Sequence, residues 1–199
     1  MKVLVAGATG STGARVVEHL KVRAHVPVAL VRESSDRGVL PEDVELRTGD
    51  LTDLDEDVCR DCEAVIFAAG SGSGTSAEMT DKVDRDGAMA LVDRAKAAGV
   101  QRFVMLSSAG TEDPDPDTEM GHYLKAKHDA DEYLKESGLS YAIVRPVALT
   151  DDDGERQVRF GDDVDLEGKA ARGDVASVLV DALASERWRN RTARMESTA

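Results

Sequence analysis

Apolar residues along this chain gather in short stretches, at 2–6, 26–31, 44–48, 64–68, 102–107 and 140–145, most of them runs of Val, Ile, Leu and Ala. Unbroken rather than alternating apolar runs predict strands buried on both faces. Between them the apolar period changes to that of a helix, predicting helices at 12–22, 81–98, 122–137 and 173–186, with a short one near 53–60. In the 81–98 stretch Ala88, Leu91, Val92, Ala95 and Ala98 recur on one face, and Gly99 provides the stop. Strands alternating with helices predict an α/β fold, a doubly wound parallel sheet whose ligands bind beyond the carboxyl ends of the strands. The 199 residues suffice for a single domain, 1–199, with no separate substrate domain.

Three stretches are longer and more polar than such a sheet requires: Gly70 to Thr80, which includes Ser71-Gly72-Ser73-Gly74-Thr75-Ser76, then 110–121 and 147–172. Long loops at the carboxyl edge of a sheet commonly cover a ligand, so 110–121 and 147–172 are read as the substrate side.

The first run, Lys2-Val3-Leu4-Val5-Ala6, leads directly into Gly7-Ala8-Thr9-Gly10-Ser11-Thr12-Gly13. Strand, glycine turn and helix in this order suit a dinucleotide pyrophosphate. Gly7 permits the tight turn, Gly10 lets backbone approach the phosphates, and Gly13 lets the helix pack close. The N–H groups around Thr9, Ser11 and Thr12 then face the anion at a positive helix end.

Other motifs follow in order: Asp50-Leu51 after the third run, Ala68-Ala69-Gly70 after the fourth, then Arg102-Phe103-Val104-Met105-Leu106-Ser107-Ser108. Further on come Tyr123-x-x-x-Lys127 and Tyr141-Ala142-Ile143-Val144-Arg145-Pro146. With the glycine turn, these motifs resemble the short-chain dehydrogenase/reductase superfamily, in its atypical branch of small NAD(P)H-binding proteins akin to NmrA-like proteins and biliverdin reductase B. The resemblance spans about residues 2–185 and implies a single Rossmann-like domain.

The second strand ends at Arg32, where a carboxylate would bind the adenosine ribose and repel a 2′-phosphate. A planar guanidinium attracts that phosphate instead, and Arg15, one turn into the first helix, is placed to help. NADP(H) is therefore expected over NAD(H). The resemblance implies that Asp50 and the Leu51 N–H meet the adenine; Asp50 also has the local role of capping the turn after it. Small residues at Ala68, Ala69 and Gly70 leave room for the ribose.

Tyr123 and Lys127 lie one helical turn apart on one face. In the resembling reductases such a lysine supports the tyrosine and holds a ribose hydroxyl, while the tyrosine hydroxyl gives or takes the substrate proton. A serine there polarises the carbonyl; Ser108 matches it, with Ser107 next to it. Two departures stand out. Ala109 replaces a third hydroxyl residue common in sugar-nucleotide relatives, and Val147 replaces a glycine after Arg145-Pro146. That dipeptide is read as ending a strand and shaping the pocket wall.

Charge adds a second theme. The chain carries 39 acidic against 25 basic residues, a net of −14, with eight lysines and acidic residues scattered throughout. Such a surface repels nucleic acid and anionic membranes, and its pattern suits a salt-rich medium that screens self-repulsion. Cys59 and Cys62 form a C-x-x-C among Asp57, Asp61 and Glu63, whose field opposes thiolate formation, so they are read as incidental. His19, His25, His122 and His128 show no metal spacing, and no metal is expected. No apolar segment approaches the roughly 20 residues of a membrane span, and the first run is a core strand rather than a leader. A cytoplasmic protein acting on a small molecule is the reading, with no nucleic-acid or membrane partner; oligomeric state has no sequence signature. Its function is NADP(H)-dependent hydride transfer to a small carbonyl, quinone or flavin-like acceptor. The alternatives are an NADP(H)-sensing regulator without turnover and, with less support, a nucleotide-sugar epimerase relative.

Overall fold

In the computed structural model of the protein, which describes residues 1–72 and 74–198, all six apolar runs form strands. These are β1 (Lys2–Ala6), β2 (Val26–Val31), β3 (Glu45–Thr48), β4 (Ala64–Phe67), β5 (Arg102–Leu106) and β6 (Tyr141–Pro146), all mutually parallel. β1 lies between β2 and β4, with Val5 opposite Ala29 on one side and Ile66 on the other. The helices are α1 (Ser11–Val22), a one-turn α2 (Ala77–Thr80), α3 (Ala88–Ala97), α4 (Gly121–Glu136) and α5 (Arg172–Ala184). Ser73, in the polar loop before α2, lies outside the described residues.

Successive strand residues face opposite helical layers, which is why β1, β2 and β4 to β6 are mostly apolar, whereas edge strand β3 is largely exposed. On one side Val16, Val17, Leu20, Val175 and Leu179 of α1 and α5 cover Val3, Val5, Ile66 and Val104. On the other, Leu91, Val92, Ala130 and Leu134 of α3 and α4 cover Leu4, Val65, Phe67 and Phe103. Cys59 and Cys62 are free and buried in this second layer. Burial pushes the Cys59 thiol up to about 12 and raises Cys62 as well. The direction matches the sequence argument but the cause differs: desolvation dominates, and the charge touching Cys62, Arg47 at 3.6 Å, opposes it.

Four departures from the sequence pattern have local causes. Residues 53–60 form consecutive turns, closed by Asp53 N–H to Asp50 O, Val58 N–H to Asp55 O and Arg60 N–H to Asp57 O, rather than a helix. The helix expected at 81–98 starts earlier: α2 runs into a π-helical stretch, Asp81–Gly87, which continues as α3. α5 stops at Ala184, before a single 3₁₀ turn at Glu186–Trp188.

Last, the region beyond Val147 is not irregular. β7 (Ala148–Thr150) pairs with β9 (Lys169–Ala171), while β8 (Val158–Phe160) and β10 (Arg191–Ser197) extend the main sheet. The order is β3-β2-β1-β4-β5-β6-β10-β8, with β8 antiparallel to β10, so the sheet is mostly rather than wholly parallel. β10 buries Ala193 and Met195, and also Glu196, which Arg159 Nη1 meets at 2.7 Å. No helix of the described residues is long and apolar enough to cross a membrane.

Candidate active site

The site grows from the turn after β1. Gly7 has φ +79°, and a Cβ built on it would fall 2.6 Å from Ala69 Cα, because the end of β4 packs on the turn. A Cβ on Gly13 would lie 2.0 Å from Gly7 O, so α1 sits directly against the same turn. Gly10 caps α1 in extended conformation with no side-chain cap, and no acidic residue occupies the first turn. In so acidic a chain this leaves an open, positive helix end beside exposed Ser11 and half-buried Thr9, while Thr12 is buried. An anion fits there. The turn also lies where the chain order reverses, β1-β2-β3 running one way and β4-β5-β6 the other, the switch point at which this architecture binds ligands.

On the β2–β3 side, Arg32 is exposed beyond the strand and donates its backbone N–H to Ser35 Oγ at 3.0 Å. Asp50 Oδ1 accepts from Thr52 N at 2.9 Å and Thr52 Oγ1 at 2.8 Å, the local capping role read from sequence. Those bonds, aided by the charge of Arg32, hold its carboxyl below the usual range. Leu51 is half-buried beside it. Arg15, grouped with Arg32 in the sequence reading, is engaged elsewhere. It donates to Ser11 O at 2.9 Å, Asp151 O at 2.7 Å and Asp153 Oδ1 at 3.1 Å, tying the 147–172 segment to α1. Arg172 pairs with Asp151 at 3.1 Å in the same tether.

Beyond β4 and β5, one face of α4 presents Tyr123, Lys127 and Asp131 on successive turns. Tyr123 is half-buried, with its ring centroid 5.9 Å from Lys127 Nζ. Lys127 is 2% exposed and sits 3.1 Å from Asp84 Oδ1, itself wholly buried on the π-helical stretch. It also reaches Ala69 O and Leu106 O, each at 3.3 Å. Burial alone would depress this ammonium, yet Tyr123, Asp84 and Asp131 outweigh it and hold its pKa above the ordinary lysine value.

The two serines divide. Ser107 is buried and donates to Asp131 Oδ2 at 2.8 Å, whereas Ser108 is half-buried and, among the described residues, its Oγ meets only the neighbouring Ala109 O, at 3.2 Å. Both lie just past β5, which ends at Leu106, and the Asp131 contact is what separates them. Arg145 Nη2, buried, lies 2.9 Å from the same Asp131 oxygen. Burial raises the Asp131 carboxyl against the pull of Arg145 and the Ser107 bond. Arg145 thus anchors Asp131 and, through it, Ser107, which goes beyond the wall-shaping role read from sequence. The start of the 110–121 loop is pinned here too, by Glu112 to Arg194 and by His128 Nδ1 at 2.7 Å from Thr111 O.

Asp84 and Asp131 were absent from the sequence-based site. Asp131 had a signal: it continues the four-residue spacing from Tyr123 and Lys127. Asp84 had none, because its partner lies 43 positions away and a wide π turn aims it.

A mostly parallel sheet with an open glycine cradle at its switch point defines a dinucleotide-binding protein of the Rossmann-like, short-chain dehydrogenase/reductase type. A family profile described as NAD(P)H-binding matches residues 7–186, and the chain belongs to that family. It is 34% identical over 197 residues to an uncharacterised sugar epimerase of Bacillus subtilis, YhfK, covering 96% of this chain and 92% of that one. It is 28% identical to sanguinarine reductase of Eschscholzia californica, over 96% of this chain and 87% of the relative. A solved Bacillus halodurans structure, provisionally described as an NAD-dependent epimerase/dehydratase, superposes with a TM-score of 0.92 at 33% identity. That match covers all of this chain and 94% of the other.

Proposed function

We propose that the protein is an NADP(H)-dependent reductase that delivers hydride to a small carbonyl, quinone or flavin-like acceptor. One observation carries the reading: Ala69 joins the cofactor cradle to the α4 face. Its Cα is where a Cβ on Gly7 would collide, and its carbonyl accepts from Lys127. The cradle suits a pyrophosphate because Gly10 leaves the helix end without a Cβ, Gly13 lets α1 pack directly on the turn, and no acidic residue stands in the first turn of α1.

NADPH, when bound, supplies the hydride. Ser108 donates a hydrogen bond to the acceptor oxygen, and Tyr123 gives the proton, so a carbonyl becomes an alcohol. The buried Lys127 charge favours the phenolate left behind, which water reprotonates. Arg32 meets the 2′-phosphate, while Asp50, Leu51 and Ala68 to Gly70 bound the adenosine and ribose. The name of sanguinarine reductase agrees with reduction, while YhfK and the Bacillus halodurans structure carry epimerase names, so the epimerase reading stays as the alternative. We place the protein in the cytoplasm, with its acidic surface suited to concentrated salt.

NADPH should bind at least ~10-fold more tightly than NADH, since one charge-assisted contact is worth about 1.5–3 kcal/mol. Arg32→Asp should erase that preference; equal binding of both cofactors by the native protein would refute it. An acceptor screen over carbonyls, quinones and flavins should show NADPH oxidation well above background. A second reading, an NADP(H) sensor without turnover, draws on the enclosure of Lys127 and on Ala109. It predicts tight NADPH binding with no oxidation in that screen.

A further inference from the structure

We propose that Thr111 is a positioning residue for Ser108: its buried hydroxyl pins the Ser108 carbonyl and so sets where the Ser108 hydroxyl can reach. The inference rests on the role proposed above for Ser108 and adds a residue that stands behind it.

Thr111 lies three positions beyond Ser108, at the start of the 110–121 loop, and has no exposure to water. Its Oγ1 donates to Ser108 O at 2.9 Å, the hydrogen bond which that carbonyl accepts among the described residues. Asp131 Oδ2 lies 3.4 Å from the same hydroxyl. A hydroxyl has one hydrogen to give, and the shorter contact takes it. Asp131 is left to Ser107 and Arg145, at 2.8 and 2.9 Å.

Thr111 is held in turn from α4. Its carbonyl stands 2.7 Å from His128 Nδ1, and a carbonyl only accepts, so the imidazole hydrogen sits on that nitrogen. On the other flank the Ala109 N–H bonds Pro146 O at 2.9 Å, and the Gly110 N–H bonds Glu112 Oε2 at 2.8 Å. The turn from Ser108 to Glu112 is thereby braced on α4, on β6 and on itself, with Thr111 supplying the brace on the Ser108 carbonyl. Ser108 Oγ meets Ala109 O at 3.2 Å and must swing about its Cα–Cβ bond to serve an acceptor. The backbone sets where that swing ends, and a misplacement of about 1 Å costs up to ~10²-fold in rate. Thr111, enclosed, acts only through Ser108.

The test separates the two halves of the threonine side chain. Thr111→Val keeps the methyl and loses the hydroxyl; Thr111→Ser does the reverse. Both should lower Tm by about 2–6 °C, the first through an unpaired carbonyl and the second through a lost buried methyl. Turnover should follow the hydroxyl alone. With a carbonyl acceptor, kcat should fall at least about tenfold in Thr111→Val, stay within about threefold of native in Thr111→Ser, and leave KM for NADPH within about twofold in both. In a Ser108→Ala background, adding Thr111→Val should change kcat by less than about twofold, because the hydroxyl being positioned is gone. Thr111→Ala takes the place of Thr111→Val should that protein fail to fold.

Native kcat in Thr111→Val, an equal loss in Thr111→Ser, or a full further loss in the Ser108→Ala background would each overturn the proposal. A native protein that oxidises NADPH with no acceptor sinks the proposed function instead. Amide hydrogen exchange at Ala109 and Gly110 then decides the positioning role without turnover. It should quicken at least about fivefold in Thr111→Val and stay within about twofold in Thr111→Ser; equal rates in all three proteins overturn the role.

Discussion

Gly13→Ala tests whether the glycine turn is built as described. The added Cβ would lie 2.0 Å from Gly7 O, 2.7 Å from Gly7 C and 3.0 Å from Ala8 Cα, where ordinary contact begins at 3.4 Å. All three atoms are backbone, so the turn must retreat by more than an ångström instead of a side chain rotating away. Overpacking costs about 1–3 kcal/mol, and the better helix propensity of alanine returns up to about 1 kcal/mol. A net loss of about 1–2 kcal/mol corresponds to a fall in Tm of roughly 2–8 °C for a domain of this size. The displaced N–H groups should raise the NADPH dissociation constant at least ~10-fold, the loss of about one charge-assisted bond. Gly10→Ala is the control. Its Cβ meets only Gly7 O, at 3.3 Å, and its φ of −78° suits any residue. Tm should therefore stay within about 2 °C, while affinity falls because the methyl occupies the phosphate approach. Thermal unfolding by circular dichroism and fluorescence titration with NADPH measure both. A Gly13→Ala protein with native Tm, or a Gly10→Ala protein with native affinity, would refute the reasoning.

Tyr123→Phe should leave NADPH affinity within a few-fold of native and reduce turnover ~10²–10⁴-fold, the usual contribution of a positioned acid; full retained turnover would make the tyrosine structural. Raising potassium chloride from low to molar concentration should raise Tm by screening a net charge of −14, and a flat or falling Tm would refute the salt reading. The Cys59 thiol, raised by burial to about 12, stays neutral in the fold while the unfolded thiol ionises. Its contribution to stability is thus full below the ordinary thiol range and is lost as pH climbs toward that value. Cys59→Ala should flatten the alkaline loss seen in urea unfolding between those limits, and an unchanged slope would contradict the assignment.

The central sheet was legible because burial on both faces demands unbroken apolar runs, and β1, β2 and β4 to β6 have them. β10 was not. Arg191-Thr192-Ala193-Arg194-Met195-Glu196-Ser197 reads as polar, since only Ala193 and Met195 serve the apolar core while Glu196 is buried through an ion pair with Arg159. The glycine cradle was legible as a contiguous motif with steric needs. The floor of the cleft was not, because Asp84, Ser107 and Arg145 come from three separate elements and meet α4 only through the fold. The serine pair shows the boundary well. Sequence brought both hydroxyls to the end of β5, and only the Asp131 contact separates an anchored Ser107 from an outward Ser108.

The tether between α1 and the 147–172 segment bears on how the molecule behaves in brine. One of the three Arg15 bonds, to Ser11 O, stays within α1; the two that reach the segment end on the Asp151 carbonyl and on the Asp153 carboxylate, which is 90% exposed. The Arg172–Asp151 pair of the same tether is also solvent-facing, with Asp151 82% exposed. Dissolved ions screen attraction between exposed charges far more than a directional bond to a neutral carbonyl. Concentrated electrolyte that quietens the repulsion over the whole surface therefore also weakens both ion pairs of the latch, and leaves the Asp151 carbonyl bond to hold the flap that borders the cofactor helix.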